Sequence, residues 1–145
     1  MRIQGRRASN IGCSRDNNED FALVDNDLGL YIVCDGVGGN NAGEVASQLA
    51  AETIQRQIKA IRSDIQKSMT EGDLASIELF VADAIQQACK EVYETAQENS
   101  EQRGMGTTAT VLLFLGNRAF MGHVGDSRLY LHRADTVDRL TTDHT

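Results

Sequence analysis

With 145 residues, 41% of them hydrophobic, the chain is long enough for one domain with a real core and too short to suggest two. Acidic residues outnumber basic ones 21 to 14, and the net charge of -7 argues against a nucleic-acid surface, because phosphate backbones demand clustered Lys and Arg. No apolar run approaches the roughly 20 residues of a membrane span and the N-terminus lacks the apolar stretch of a signal peptide, while the widely spaced Cys13, Cys34 and Cys89, with no C-x-x-C, indicate reduced thiols in a cytoplasm.

The first third reads as strands: Arg2 to Ser9, Phe21 to Val24 and Leu28 to Cys34, the last two joined into a hairpin by the polar turn Asp25-Asn26-Asp27. Arg2, Arg6 and Arg7 then mark a solvated strand face. The unbroken apolar run Leu30-Tyr31-Ile32-Val33-Cys34 predicts a strand buried on both faces. It stops at Asp35-Gly36-Val37-Gly38-Gly39, so a strand delivers a carboxylate into a glycine loop. Val45, Leu49, Ala50, Ile54, Ile58 and Ile61 share one helical stripe and predict a helix from about Gly43 to Ile61, with Asn41 and Glu44 resembling a capping box. After a polar connection around Thr70-Glu71-Gly72, Asp73 can cap a second helix whose stripe is Ile77, Val81, Ala84, Ile85, Ala88 and Val92. Strand character returns over Thr107 to Leu115, Arg118 to Val124, Arg128 to His132 and a final run to Leu140. Strands, two adjacent helices and strands again make an α+β pattern. With no internal repeat, low-complexity linker or proline, no domain boundary is indicated.

Glu19-Asp20, Asp35 and Asp126 each border an apolar segment, where a carboxylate is costly unless paired or bound to metal. Hard divalent cations favour such groups of carboxylate and carbonyl oxygens. The competing reading, commoner for any single Asp beside Gly, is that each one caps its own turn. The cysteines read as small buried hydrophobes, and none has the C-x₅-R spacing of a cysteine-dependent phosphatase. His123, His132 and His144 read as ordinary surface or packing residues. A dinucleotide loop fails because Asn41 stands at the third glycine of G-x-G-x-x-G, and no G-x-x-x-x-G-K-[ST] occurs.

Arg15-Asp16-Asn17-Asn18-Glu19-Asp20, then Asp35-Gly36-Val37-Gly38-Gly39 with Gly43-Glu44, Gly106-Thr107-Thr108, Gly125-Asp126-Ser127-Arg128 and Leu140-Thr141-Thr142-Asp143-His144 follow one another in register. Together they resemble the signature of the protein phosphatase 2C (PPM) family, bacterial type. The resemblance implies a β-sandwich of mainly antiparallel sheets flanked by helix pairs, of which residues 1–145 would be the N-terminal portion of a single domain, with one helix pair. It implies metal-dependent hydrolysis of phosphoserine or phosphothreonine on proteins by a metal-activated water, with a cognate Ser/Thr kinase as counterpart; charge and hydropathy, as above, leave neither nucleic acid nor membrane as an expected partner.

By the same resemblance, Asp35 would bridge two Mn²⁺ or Mg²⁺ ions, the Gly36 carbonyl would bind one of them, and Glu19 and Asp20 would hold metal directly or through water. Asp126 would look onto a third ion. Arg15 would grip the substrate phosphate, as suits a planar guanidinium. Ser127 and Arg128 read as residues that pack and hydrogen-bond locally. Val37 stands where many eukaryotic relatives have a histidine. The family domain continues beyond Thr145 with two further aspartates of the metal site, so the alternative expectation is a truncated, catalytically inactive piece with a binding or structural role. Unpaired sheet edges would leave such a piece marginally stable or self-associating.

Overall fold

The structure, a computed structural model, describes residues 2–40 and 42–144. Strand β1 (Asp20–Asp25) and strand β2 (Leu30–Val37) form the expected hairpin. Asp25 closes its turn by accepting the Leu28 N–H at 3.0 Å. Gly29 completes it at φ 68, with its missing Cβ leaving room for the Phe114 carbonyl.

Helix α1 spans Ala42–Ala60, α2 spans Arg62–Glu71 and α3 spans Leu74–Glu98. The proposed capping box involves Asn41, which lies outside the described residues. Helix α2 was absent from the sequence reading, because its mostly polar sequence buries only Ile65 and Ser68. It ends at Gly72, whose left-handed φ of 73 lets its N–H reach back to the last carbonyls of the helix. Asp73 caps α3 as expected, accepting the Ser76 N–H at 3.2 Å.

The remaining strands are β3 (Gly106–Thr107), β4 (Ala109–Leu115), β5 (Arg118–Val124), β6 (Tyr130–Arg133) and β7 (Thr136–Arg139). The main sheet runs β1-β2-β4-β5 with β3 added beside the end of β2, while β6 and β7 form a separate hairpin, and every pairing is antiparallel. The single strand read over Thr107 to Leu115 is two pieces, broken at Thr108. Residues Arg2 to Ser9 are not a strand: the segment is held to the sheet by Gly5 N–H on Asn26 Oδ1 at 2.7 Å and by Arg7 on the Ala22 carbonyl at 2.8 Å.

One face of the main sheet carries the core. Leu23, Leu30, Ile32, Cys34, Val111, Leu113 and Phe120 point inward, against Ala46, Ala50, Ile54 and Ile58 of α1 and Ile77, Val81 and Ala84 of α3. Small residues on α1 and Gly122 on β5 let the helices approach closely: a Cβ at Gly122 would stand 2.5 Å from Ile85 Cδ1. The apolar run from Leu30 to Cys34 is therefore buried on one face only. Val33 is 49% exposed between fully buried Ile32 and Cys34, since helices cover just one side of the sheet.

Candidate metal centre

The β1–β2 register sets Asp20 directly opposite Asp35. Both side chains share the face that carries Ala22 and Val33, away from the helices. Like charges directly opposite on a sheet destabilise it unless something offsets them. The two carboxylates come within hydrogen-bonding reach, and Asp126 adds its charge nearby. Partial withdrawal from water, then Asp20 and Asp126, push the Asp35 carboxyl above the ordinary aspartate range, with Arg15 pulling the other way. Asp20, Asp35 and Asp126 are all exposed residues, which corrects the expectation of buried carboxylates.

Glu19 sits apart from this group. Its carboxylate lies against the start of α1, where a Cβ on Gly43 would be 2.5 Å from Oε1, and Arg15 approaches its other oxygen at 3.5 Å. The Arg15 side chain is itself 72% exposed, so most of its donors face solvent. Arg15, Asn18, Glu19, Asp20 and Asp35 line one open cleft of about 200 Å³. Gly36 joins the strand to α1: its N–H bonds to the Glu19 carbonyl at 3.1 Å, and a methyl group there would overlap the Gly43 carbonyl.

The Asp35 backbone is clamped by residues to which the sequence reading assigned no role. Its N–H donates to Thr108 Oγ1 at 2.9 Å, and its carbonyl accepts from the Thr108 N–H at 2.9 Å and from Thr107 Oγ1 at 3.1 Å. The Thr108 hydroxyl also bonds Ser127 Oγ at 2.7 Å, which ties Asp35 to the Asp126 turn. Gly-Thr-Thr was visible as a motif, yet nothing in its spacing shows that it lies beside Asp35, 72 or more positions away. Arg128 forms a two-armed ion pair with Asp143, at 3.1 and 2.7 Å. These hydrogen bonds hold the Asp143 carboxyl below its ordinary range.

The donor set can be weighed against a divalent ion. A crowded Asp20–Asp35 pair with Asp126 close by is what a small, hard cation relieves. Among the described residues, however, no three acidic, histidine or cysteine side chains converge closely enough to hold an ion by themselves. The fit is to part of a coordination shell, and further oxygen donors would be needed to complete it.

The family model for protein phosphatase 2C matches residues 1–145, and the chain belongs to that family. It is 34% identical over 139 residues to the serine/threonine phosphatase stp of Listeria welshimeri, covering 92% of this chain and 52% of that protein. Identity to the serine/threonine protein phosphatase PstP of Mycobacterium tuberculosis is 35% over 137 residues, covering 94% of this chain and 24% of that protein. Among solved structures, the PstP catalytic domain in complex with 2 manganese ions aligns with TM-score 0.72 and 34% identity, over 94% of this chain and 54% of that one. Stp1 from Staphylococcus aureus aligns with TM-score 0.74 and 29% identity, over 98% and 58%. The chain spans about half the length of most of these relatives, and a smaller share of full-length PstP.

Proposed function

We propose that these residues form the part of a protein serine/threonine phosphatase that binds metal and grips phosphate, acting on phosphoserine and phosphothreonine in proteins. The observation that carries this reading is the cross-strand Asp20–Asp35 pair with Asp126 and Arg15 beside it. Asp20 and Asp35, with Glu19, the Gly36 carbonyl and Asp126, would hold Mn²⁺ or Mg²⁺: two ions, and a third at Asp126. When bound, such ions supply a water acidic enough to act as hydroxide near neutral pH and offset the charge on phosphoryl oxygens.

Arg15 takes the phosphate. Its contact with Glu19 at 3.5 Å is loose, which leaves its planar fork able to bond two phosphoryl oxygens while Glu19 keeps it aimed across the cleft. An open cleft suits a phosphorylated side chain presented on another protein. Thr107 and Thr108 hold the Asp35 backbone, which fixes the direction its carboxylate would present to a cation. A cognate Ser/Thr kinase and a cytoplasmic setting follow from the same reading, as does the assignment of residues 1–145 to the N-terminal portion of a single domain.

The second reading is a catalytically inactive, phosphatase-like binding or structural fragment, favoured by the finding that, among the described residues, no three acidic, histidine or cysteine side chains converge. Hydrolysis of p-nitrophenyl phosphate and a phosphothreonine peptide by the folded chain, with and without Mn²⁺, separates the two. The phosphatase reading expects turnover that EDTA abolishes and that falls at least about a hundredfold in Asp35→Asn, on the scale of losing a group that stabilises transition-state charge. Metal-independent turnover, or turnover kept by Asp35→Asn, would refute it. A folded chain silent under all conditions supports the second reading.

A further inference from the structure

Residues 140–144 run alongside residues 125–129 and splint them. Leu140 N–H donates to the Leu129 carbonyl at 2.8 Å, the Leu129 N–H donates to Thr141 Oγ1 at 3.1 Å, and Asp143 takes both arms of Arg128. His144 completes the series with a two-point grip on Gly125: its N–H donates to the Gly125 carbonyl at 2.8 Å, and its Nδ1 accepts the Gly125 N–H at 3.2 Å. Gly125 needs that grip. It sits at φ 105, and any Cβ would stand 2.5 Å from Thr108 Cγ2, so the turn is pressed against the threonine that holds Asp35. The His144 ring rests on His123 at a centroid distance of 5.0 Å, and His123 is fixed in turn by Thr110 Oγ1 on Nδ1 at 2.9 Å.

We infer that His144 is a positioning residue: by accepting the Gly125 N–H on an unprotonated Nδ1, it holds the turn that aims Asp126 toward Asp35. The inference rests on the metal-site reading of Asp126 given above. Its geometry makes one chemical demand. A donor facing Nδ1 requires the neutral tautomer whose proton is on Nε2. Asparagine, whose Oδ1 occupies roughly the place of Nδ1, would meet that demand, and alanine would not.

The test uses the isotope-labelled 145-residue chain and Mg²⁺ alone as probe. In His144→Ala, Gly125 amide hydrogen exchange should quicken at least tenfold. Mg²⁺ should then cease to shift the side-chain carboxyl ¹³C resonance of Asp126 while still shifting those of Asp20 and Asp35, and His144→Asn should restore both signals. Unchanged Gly125 exchange and an unchanged Mg²⁺ response at Asp126 in His144→Ala would overturn the inference. So would an imidazole ¹⁵N spectrum of the unaltered chain with a proton on Nδ1, a measurement that decides the matter even where the alanine variant does not fold. Failure of Mg²⁺ to shift any of these carboxyl resonances in the unaltered chain would defeat the metal-site reading instead, leaving Gly125 exchange and the tautomer to judge the role of His144.

Discussion

Three free thiols sit in contrasting settings. Cys34 is fully buried on β2, and loss of hydration pushes its thiol up to about 12. Cys13 and Cys89 are exposed, contrary to the expectation of three buried ones, because Cys13 lies in the open loop before Arg15 and Cys89 on the solvent side of α3. An Ellman's titration of the folded chain should therefore label Cys13 and Cys89 within minutes and reach Cys34 only after denaturant is added. Rapid labelling at Cys34 would mean that the β2 core opens readily. Asp35 and Arg15 could be picked out from sequence because their motifs are short and ordered. Thr108 could not be given a role, and the local hydrogen bonding read for Ser127 and the packing read for His144 could not be given partners, since each acts through a residue that only folding brings near.

At the level of elements, the closest join is between the end of β2 and the start of α1. A methyl at Gly36 meets backbone, the Gly43 carbonyl, and a methyl at Gly43 meets the Glu19 carboxylate and stands 2.9 Å from the Val37 nitrogen. Backbone cannot step aside as a side chain can. Gly36→Ala should destabilise the chain by about 3 kcal/mol or more, at the upper end of overpacking costs. Gly122→Ala, which meets side-chain atoms of Ile85 and Val81 and no backbone, should lose less, about 1 to 2 kcal/mol. Urea unfolding midpoints rank the two, and equal losses would mean that α1 can shift away from β2.

The α1–α3 contact has its own signature. Glu91 on α3 accepts from the buried Thr53 hydroxyl and from Arg56 at 2.7 Å, and these partners hold its carboxyl below the ordinary value of 4.5. A carboxyl lowered in the folded state stabilises the fold above its unfolded pKa, and that contribution fades as pH falls through the folded value. Thermal stability should thus decline as pH drops below about 4.5, and Glu91→Gln should flatten part of that decline. An unchanged pH profile in the variant would remove Glu91 from the account. Both helices were legible beforehand, from apolar stripes at helical spacing and from Asp73 as a cap. Helix α2 was not, because a helix held mainly by its neighbours writes little apolar period into its own sequence.

Across the whole molecule, the helices cover one face of the main sheet and leave the other largely open. Val33, Met121 and Val124 are exposed there or at its margin, and the β6–β7 hairpin exposes Tyr130, Leu131 and Val137. Apolar surface of this extent, together with the β1 and β5 sheet edges, favours association. The 145-residue chain on its own should bind the dye ANS in its native state and show a sedimentation coefficient that rises with concentration. A dye-silent monomer with a sharp, reversible thermal transition would contradict this.

The sequence by itself determined the α+β order of elements, the β1–β2 hairpin, the two long helices and the family, because each is recorded in local periodicity or in short ordered motifs. Tertiary structure decided which side of β2 is buried, since alternation in the burial of Leu30 to Cys34 depends on what packs against each face and not on the run itself. It also decided that Asp20 faces Asp35 while Glu19 turns to Arg15 and α1, and that Thr108, Ser127 and His144 join the loops around them. Those relations are set by strand register and by contacts between distant segments, which sequence spacing alone does not encode.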